Sequence, residues 1–124
     1  MNPSGFPSKF KSTPVPNAIF GPLLEQINDL GELKCTLRII QMLHQKKGTG
    51  KYLTLHELMT DHTLNRSLGT GLKGSLSKIT KSISLAVSRG TFLCGEINRP
   101  HGKELIYMLN TPENRETIET RFDA

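Results

Sequence analysis

The sequence predicts an α+β fold in which helices fill the first two thirds and a β-hairpin closes them. Three observations carry that prediction. Apolar residues recur at helical spacing in segments from residue 17 to residue 89; two β-rich runs, TFLCGEI and ELIYMLN, then follow around the turn NRPHGK. The helix just before them has an apolar arc opposite an arc without a single acid. At 124 residues, with 35% hydrophobic and 22% charged, the chain suits one domain with a modest core. The expected division is an extended arm over 1–16, the folded domain over 17–110 and an acidic helix over 111–124.

Each element has a local cause. The arm holds Pro3, Pro7, Pro14 and Pro16 among Ser, Gly and Lys, a composition that stays extended, although its Phe6 and Phe10 can dock. Asn17 caps a short helix carrying Ile19, Phe20, Leu23, Leu24 and Ile27, with Pro22 near its first turn. Asp29 caps a longer one, in which Leu30, Leu33, Leu37, Ile40 and His44 form one stripe and Ile39 and Met42 a second. Lysines and Gly48 end it. The following KKGTGKYLT has part of a phosphate-binding loop. It lacks the first glycine, which is Gln45 here, and the hydroxyl after the lysine, which is Tyr52, and a helix rather than a strand precedes it.

After a short β-like piece, Thr54 and Glu57 form a capping box for a helix with Leu55, Leu58 and Met59 inward. Three glycines between residues 65 and 75 predict a loop. A helix is expected from about 75 to 89, stopped by Gly90. Its inner arc is Leu76, Ile79, Ile83, Ala86 and Val87; its expected outer arc is Lys78, Lys81, Ser82, Leu85 and Arg89. Past the hairpin, Thr111 and Pro112 start a short acidic helix.

Helix, helix, short strand, helix, helix, hairpin is the order of a winged helix-turn-helix, with three to five helices, a C-terminal wing and here a terminal helix. Charge follows the same plan. Of the net +5, the stretch 66–103 carries seven basic residues against Glu96 alone. A cationic last helix and wing tip address a polyanion, double-stranded DNA above all. The expected contacts are Lys78, Lys81, Ser82, Leu85 and Arg89 on the helix, and Arg99, His101 and Lys103 on the wing.

The segments STPVPNAIFGPLLEQINDLGELKCTLRII, LTLHELMTDHTLNRSL, SLAVSRGTFL and LIYMLNTPENR resemble the N-terminal winged-helix domain of DnaD-like bacterial and phage replication-initiation proteins, over most of 12–115. The resemblance implies DNA binding and self-association during primosome assembly. The family's further C-terminal DNA-binding domain has no counterpart in this sequence, which implies a fragment or a single-domain relative.

Chemistry of other kinds finds no pattern. His44, His56, His62 and His101 fall on separate elements, and no serine or cysteine sits in a nucleophile context, so neither a metal, a cofactor nor catalysis is expected. Cys35 and Cys94 read as separate small thiols. No apolar run is long enough to span a bilayer and the first residues lack a secretory core, which predicts a cytoplasmic protein. The alternative functions are a transcriptional regulator on the same fold, or an assembly module that oligomerises or contacts replication proteins through Phe6, Phe10, Ile39 and Met42.

Overall fold

The computed structural model describes residues 5–69 and 72–122, with the backbone alone at 72–75. Pro3, the residues 70 and 71 of the expected loop, the side chain of Lys73 and Asp123 lie outside the described residues. A 3₁₀ turn over Asn17–Phe20 leads to α1 (Pro22–Gln26) and α2 (Leu30–Gln45). Then come β1 (Leu53–Thr54), α3 (Leu55–Met59), α4 (His62–Leu68), α5 (Leu72–Arg89), β2 (Phe92–Arg99), β3 (Gly102–Leu109) and α6 (Pro112–Arg121). The fold is α+β, with a three-stranded antiparallel sheet in the order β1-β3-β2.

The caps are those the sequence predicts except at Asn17, which caps nothing: it is the first residue of the 3₁₀ turn, and neither Pro16 before that turn nor Gly21 before α1 supplies a side-chain bond. Asp29 accepts from the Glu32 N–H at 2.8 Å, and Thr54 and Glu57 complete the capping box. At the end of α5 the Thr91 N–H reaches Ala86 O and the Gly90 N–H reaches Val87 O, with Gly90 at φ 89°, the left-handed stop that glycine allows. The expected loop over 65–75 is mostly absent. Asp61 accepts from the Leu64 N–H at 2.9 Å and starts α4, Leu64 is fully buried, and α5 begins at Leu72. Burial of Leu64 outweighs the glycine-rich composition beyond it.

The core joins Cys35, Ile39, Ile40 and Leu43 of α2 to Leu58, Leu64, Ile79, Ile83 and Ala86, and to Phe92 and Tyr107 of the sheet. On the other sheet face Ile106 and Met108 are fully buried, Ile118 of α6 is nearly so, and α6 packs on β2. Each large apolar side chain so enclosed stabilises by roughly 1.5–3 kcal/mol.

The stripe expected on α2 is displaced. Leu30 and Leu37 are 66% and 43% exposed and His44 is exposed, while Glu32, Cys35, Thr36 and Ile39 are fully buried. Polar residues line this contact because each of Glu32 and Cys35 has a partner on α5. Ile39 is therefore core and is unavailable as an assembly surface, and Met42 is half-buried against that core. Phe6 and Phe10 stay exposed, their rings 5.9 Å apart.

Candidate nucleic-acid interface

Helix α5 is fixed in rotation by what it buries: Ile79, Ser82, Ile83 and Ala86. The outer face then consists of Ser77, Lys78, Thr80, Lys81, Ser84 and Ser88, all exposed, with Leu85 half-buried. It carries hydroxyls and two ammonium groups and no carboxylate. Neither Lys78 nor Lys81 has an ion-pair partner among the described residues.

Two expected contacts turn toward α2 instead, Ser82 buried and Arg89 half-buried. Ser82 is 3% exposed, hydrogen-bonded to the Cys35 thiol, and its Oγ would lie 2.6 Å from a Cβ at Gly31. The backbone of α2 comes so near at this point that only glycine leaves room for the hydroxyl. Arg89 donates through Nε and a terminal nitrogen to the two carboxylate oxygens of Glu32, at 2.6 and 3.0 Å. This fork raises the Arg89 pKa through the hydrogen bonds to Glu32 and that carboxylate's charge, against a smaller opposing effect of burial. Turning the guanidinium to a phosphate would strand a fully buried carboxylate. Helical periodicity alone placed both residues outside because it ranks positions by hydropathy, and these two polar groups are satisfied against α2. The cue available was Glu32 itself, an acid on the helix face that packs inward.

Lys78 and Lys81 share a groove of ≈360 Å³ with Asp29, Gly31, Lys34 and Ser67. Lys34, which the pattern reading passed over, donates to Ser67 O at 3.1 Å and brings a third ammonium to this groove from α2. The groove contains no residue of the hairpin.

The hairpin is tighter than its composition suggested. Register runs from Phe92↔Leu109 to Arg99↔Gly102, so Pro100 and His101 alone make the turn, with Gly102 at φ 123°. Arg99, His101 and Lys103 are exposed at its tip. Two of them are neutralised locally: Arg99 pairs with Glu104 at 3.3 Å and Lys103 with Glu96 at 3.5 Å. Glu104 falls one residue past the stretch whose charge looked so one-sided. Exposed pairs of this kind are worth about 0–1 kcal/mol, so a phosphate can compete for either cation. Arg99 also lines a groove of ≈380 Å³ with Lys46, Lys47, Lys51, Tyr52 and Glu57.

No protein-family model, curated protein or solved structure matches this chain. The chemistry of the surface therefore carries the functional reading. Cys35 and Cys94 are free thiols; burial pushes Cys35 up to about 11, only partly offset by its hydrogen bond from Ser82, and burial raises Cys94 too, so both stay protonated near neutrality. Among the described residues no group of three His, Cys, Asp or Glu could hold a metal ion. Among them, too, no helix is long and apolar enough to cross a membrane.

Proposed function

We propose that the chain is a non-enzymatic, cytoplasmic winged helix that binds double-stranded DNA, with α5 as the recognition helix and the β2–β3 hairpin as the wing. The single observation behind this reading is the outer face of α5, which presents Lys78 and Lys81 among four hydroxyls with no acid. A merely solvated helix gains from mixed signs at i,i+4, and this face forgoes them. Hydroxyls and ammonium groups suit phosphates and base edges. The resemblance to DnaD-like proteins adds replication initiation as the setting, with transcriptional control as the alternative on the same surface.

The salt dependence of binding tests it. One phosphate each for Lys34, Lys78 and Lys81 gives a slope of log affinity against log salt of about −2.7, and release of the two wing pairs brings it to about −4.5. A slope near zero on random duplex DNA would remove the reading.

A second reading, self-association, has its own observation. Phe20 and Leu24, four apart, and Leu30 and Leu37, seven apart, are 62%, 50%, 66% and 43% exposed. These replace Ile39 and Met42 as the apolar surface that a second copy would cover, beside Phe6 and Phe10. Sedimentation of Phe20→Ser/Leu30→Ser against the parent chain tests it: an unchanged mass rules it out.

A further inference from the structure

We propose that the groove between the α2–β1 loop and the hairpin is a second backbone contact for the same DNA duplex, a claim that rests on the DNA-binding reading above. Lys46, Lys47, Lys51 and Arg99 line it against Glu57; counting Glu104, which pairs with Arg99 from outside the lining, the net charge is +2, the same as in the α5 groove, where Lys34, Lys78 and Lys81 face Asp29. As much positive charge thus lies away from α5 as beside it. The one acid in the lining is already engaged, for Glu57 accepts from Lys46 at 2.6 Å and from the Thr54 N–H at 3.1 Å. Lys47 and Lys51 have no ion-pair partner among the described residues.

The loop that presents them is braced. Gly48 and Gly50 take φ of 89° and 61°, which turn the chain back, and a Cβ at Gly50 would meet Thr117 and Arg121 of α6 at 3.7 and 3.8 Å. The occupant follows from Tyr52. A single-strand groove pairs cations with a row of exposed aromatic faces on which successive bases stack, but the one aromatic lining this groove is Tyr52, half-buried and in T-shaped contact with Phe122, centroids 5.5 Å apart. Cations without a stacking platform hold a phosphate backbone and read no base. Arg99 belongs to this groove and to the wing tip alike, so a duplex lying along the wing passes the loop.

The test compares three proteins, the parent chain, Lys47→Ala/Lys51→Ala and Lys78→Ala/Lys81→Ala, on a random duplex about two helical turns long and on its single strand, over a range of salt. The loop variant is expected to keep its Tm and to lose about 1.8 from the magnitude of the duplex slope, two phosphates' worth. A loop variant with the parent's duplex slope, or one that loses slope on the single strand alone, overturns this inference while the α5 reading stands if the α5 variant loses slope. The converse, a loop variant that loses slope beside an α5 variant that does not, overturns the α5 reading and leaves the loop as the DNA site. A parent chain without salt-dependent binding overturns both.

Discussion

Arg89 and Glu32 are 57 positions apart in sequence and meet as a two-pronged ion pair that fastens the end of α5 to the first turn of α2. The carboxylate has no exposure to solvent, and that guanidinium is its ion-pair partner. Arg89→Ala is expected to lower Tm by several degrees, and Glu32→Leu/Arg89→Met to recover most of the loss, since a buried pair can give way to apolar packing more readily than either partner can stand alone. Both variants, measured while folded, are expected to keep the parent's salt slope on DNA. A lower slope in the folded double variant would return Arg89 to the DNA surface.

Gly31 and Ser82 govern how closely the same two helices approach. Adding a Cβ at Gly31 meets Ser82 Oγ at 2.6 Å and Asp29 Oδ1 at 3.1 Å. Overpacking of this kind costs about 1–3 kcal/mol, and Gly31→Ala is expected in that range by urea denaturation. Removing the hydroxyl should relieve it, so Gly31→Ala/Ser82→Ala is expected to be more stable than the two single losses added together. Strict additivity would mean that the clash is absorbed elsewhere.

Asp61 supplies a pH dependence with a definite sign. Burial alone would raise its pKa, but the Arg38 hydrogen bonds, the Leu64 N–H and the Arg38 charge outweigh that and hold the carboxyl below its ordinary value. Glu57 behaves likewise, with Lys46 and Thr54 overcoming burial. A depressed carboxylate stabilises the fold above its unfolded pKa, and that contribution disappears as pH falls through the folded value. Stability is therefore expected to decline as pH drops below the ordinary carboxylate range, about 4. Asp61→Asn, which still caps α4, should flatten that decline in thermal melts taken from neutral to strongly acidic pH. An unaltered profile would place the titration on other groups.

The parts of this fold that the sequence made legible are those decided within a few residues. Asp29, Thr54 and Thr111 all accept from the backbone N–H three residues on, and Gly90 ends α5, because such bonds need no distant partner. What stayed hidden depends on long-range company. Polarity alone points Ser82 and Arg89 outward, and their places against α2 follow from Cys35 and Glu32 on that helix. Hydropathy points Leu30 and Leu37 inward, yet among the described residues no element covers them. The shared positive surface expected of α5 and the wing is legible in its members, Lys78, Lys81 and Arg99, but not in its layout. The first two sit with Lys34, and the third with the lysines of the α2–β1 loop, in a second groove.

The exposed hydroxyl face of α5 offers the sharpest separation of binding from stability. Ser84 is exposed, so Ser84→Glu should change stability by no more than about 0.5 kcal/mol. If phosphates lie against this face, the new carboxylate opposes them and also draws on the charge of Lys81, three positions earlier on the helix. Affinity for duplex DNA is expected to fall about tenfold at moderate salt, equivalent to ~1.4 kcal/mol, and the deficit to shrink as salt rises and screens the repulsion. Ser84→Ala controls for the loss of the hydroxyl and should bind within about twofold of the parent chain. Fluorescence anisotropy on one duplex measures all three proteins. Equal affinities for Ser84→Glu and Ser84→Ala at every salt concentration would show that DNA, if bound, lies on another face.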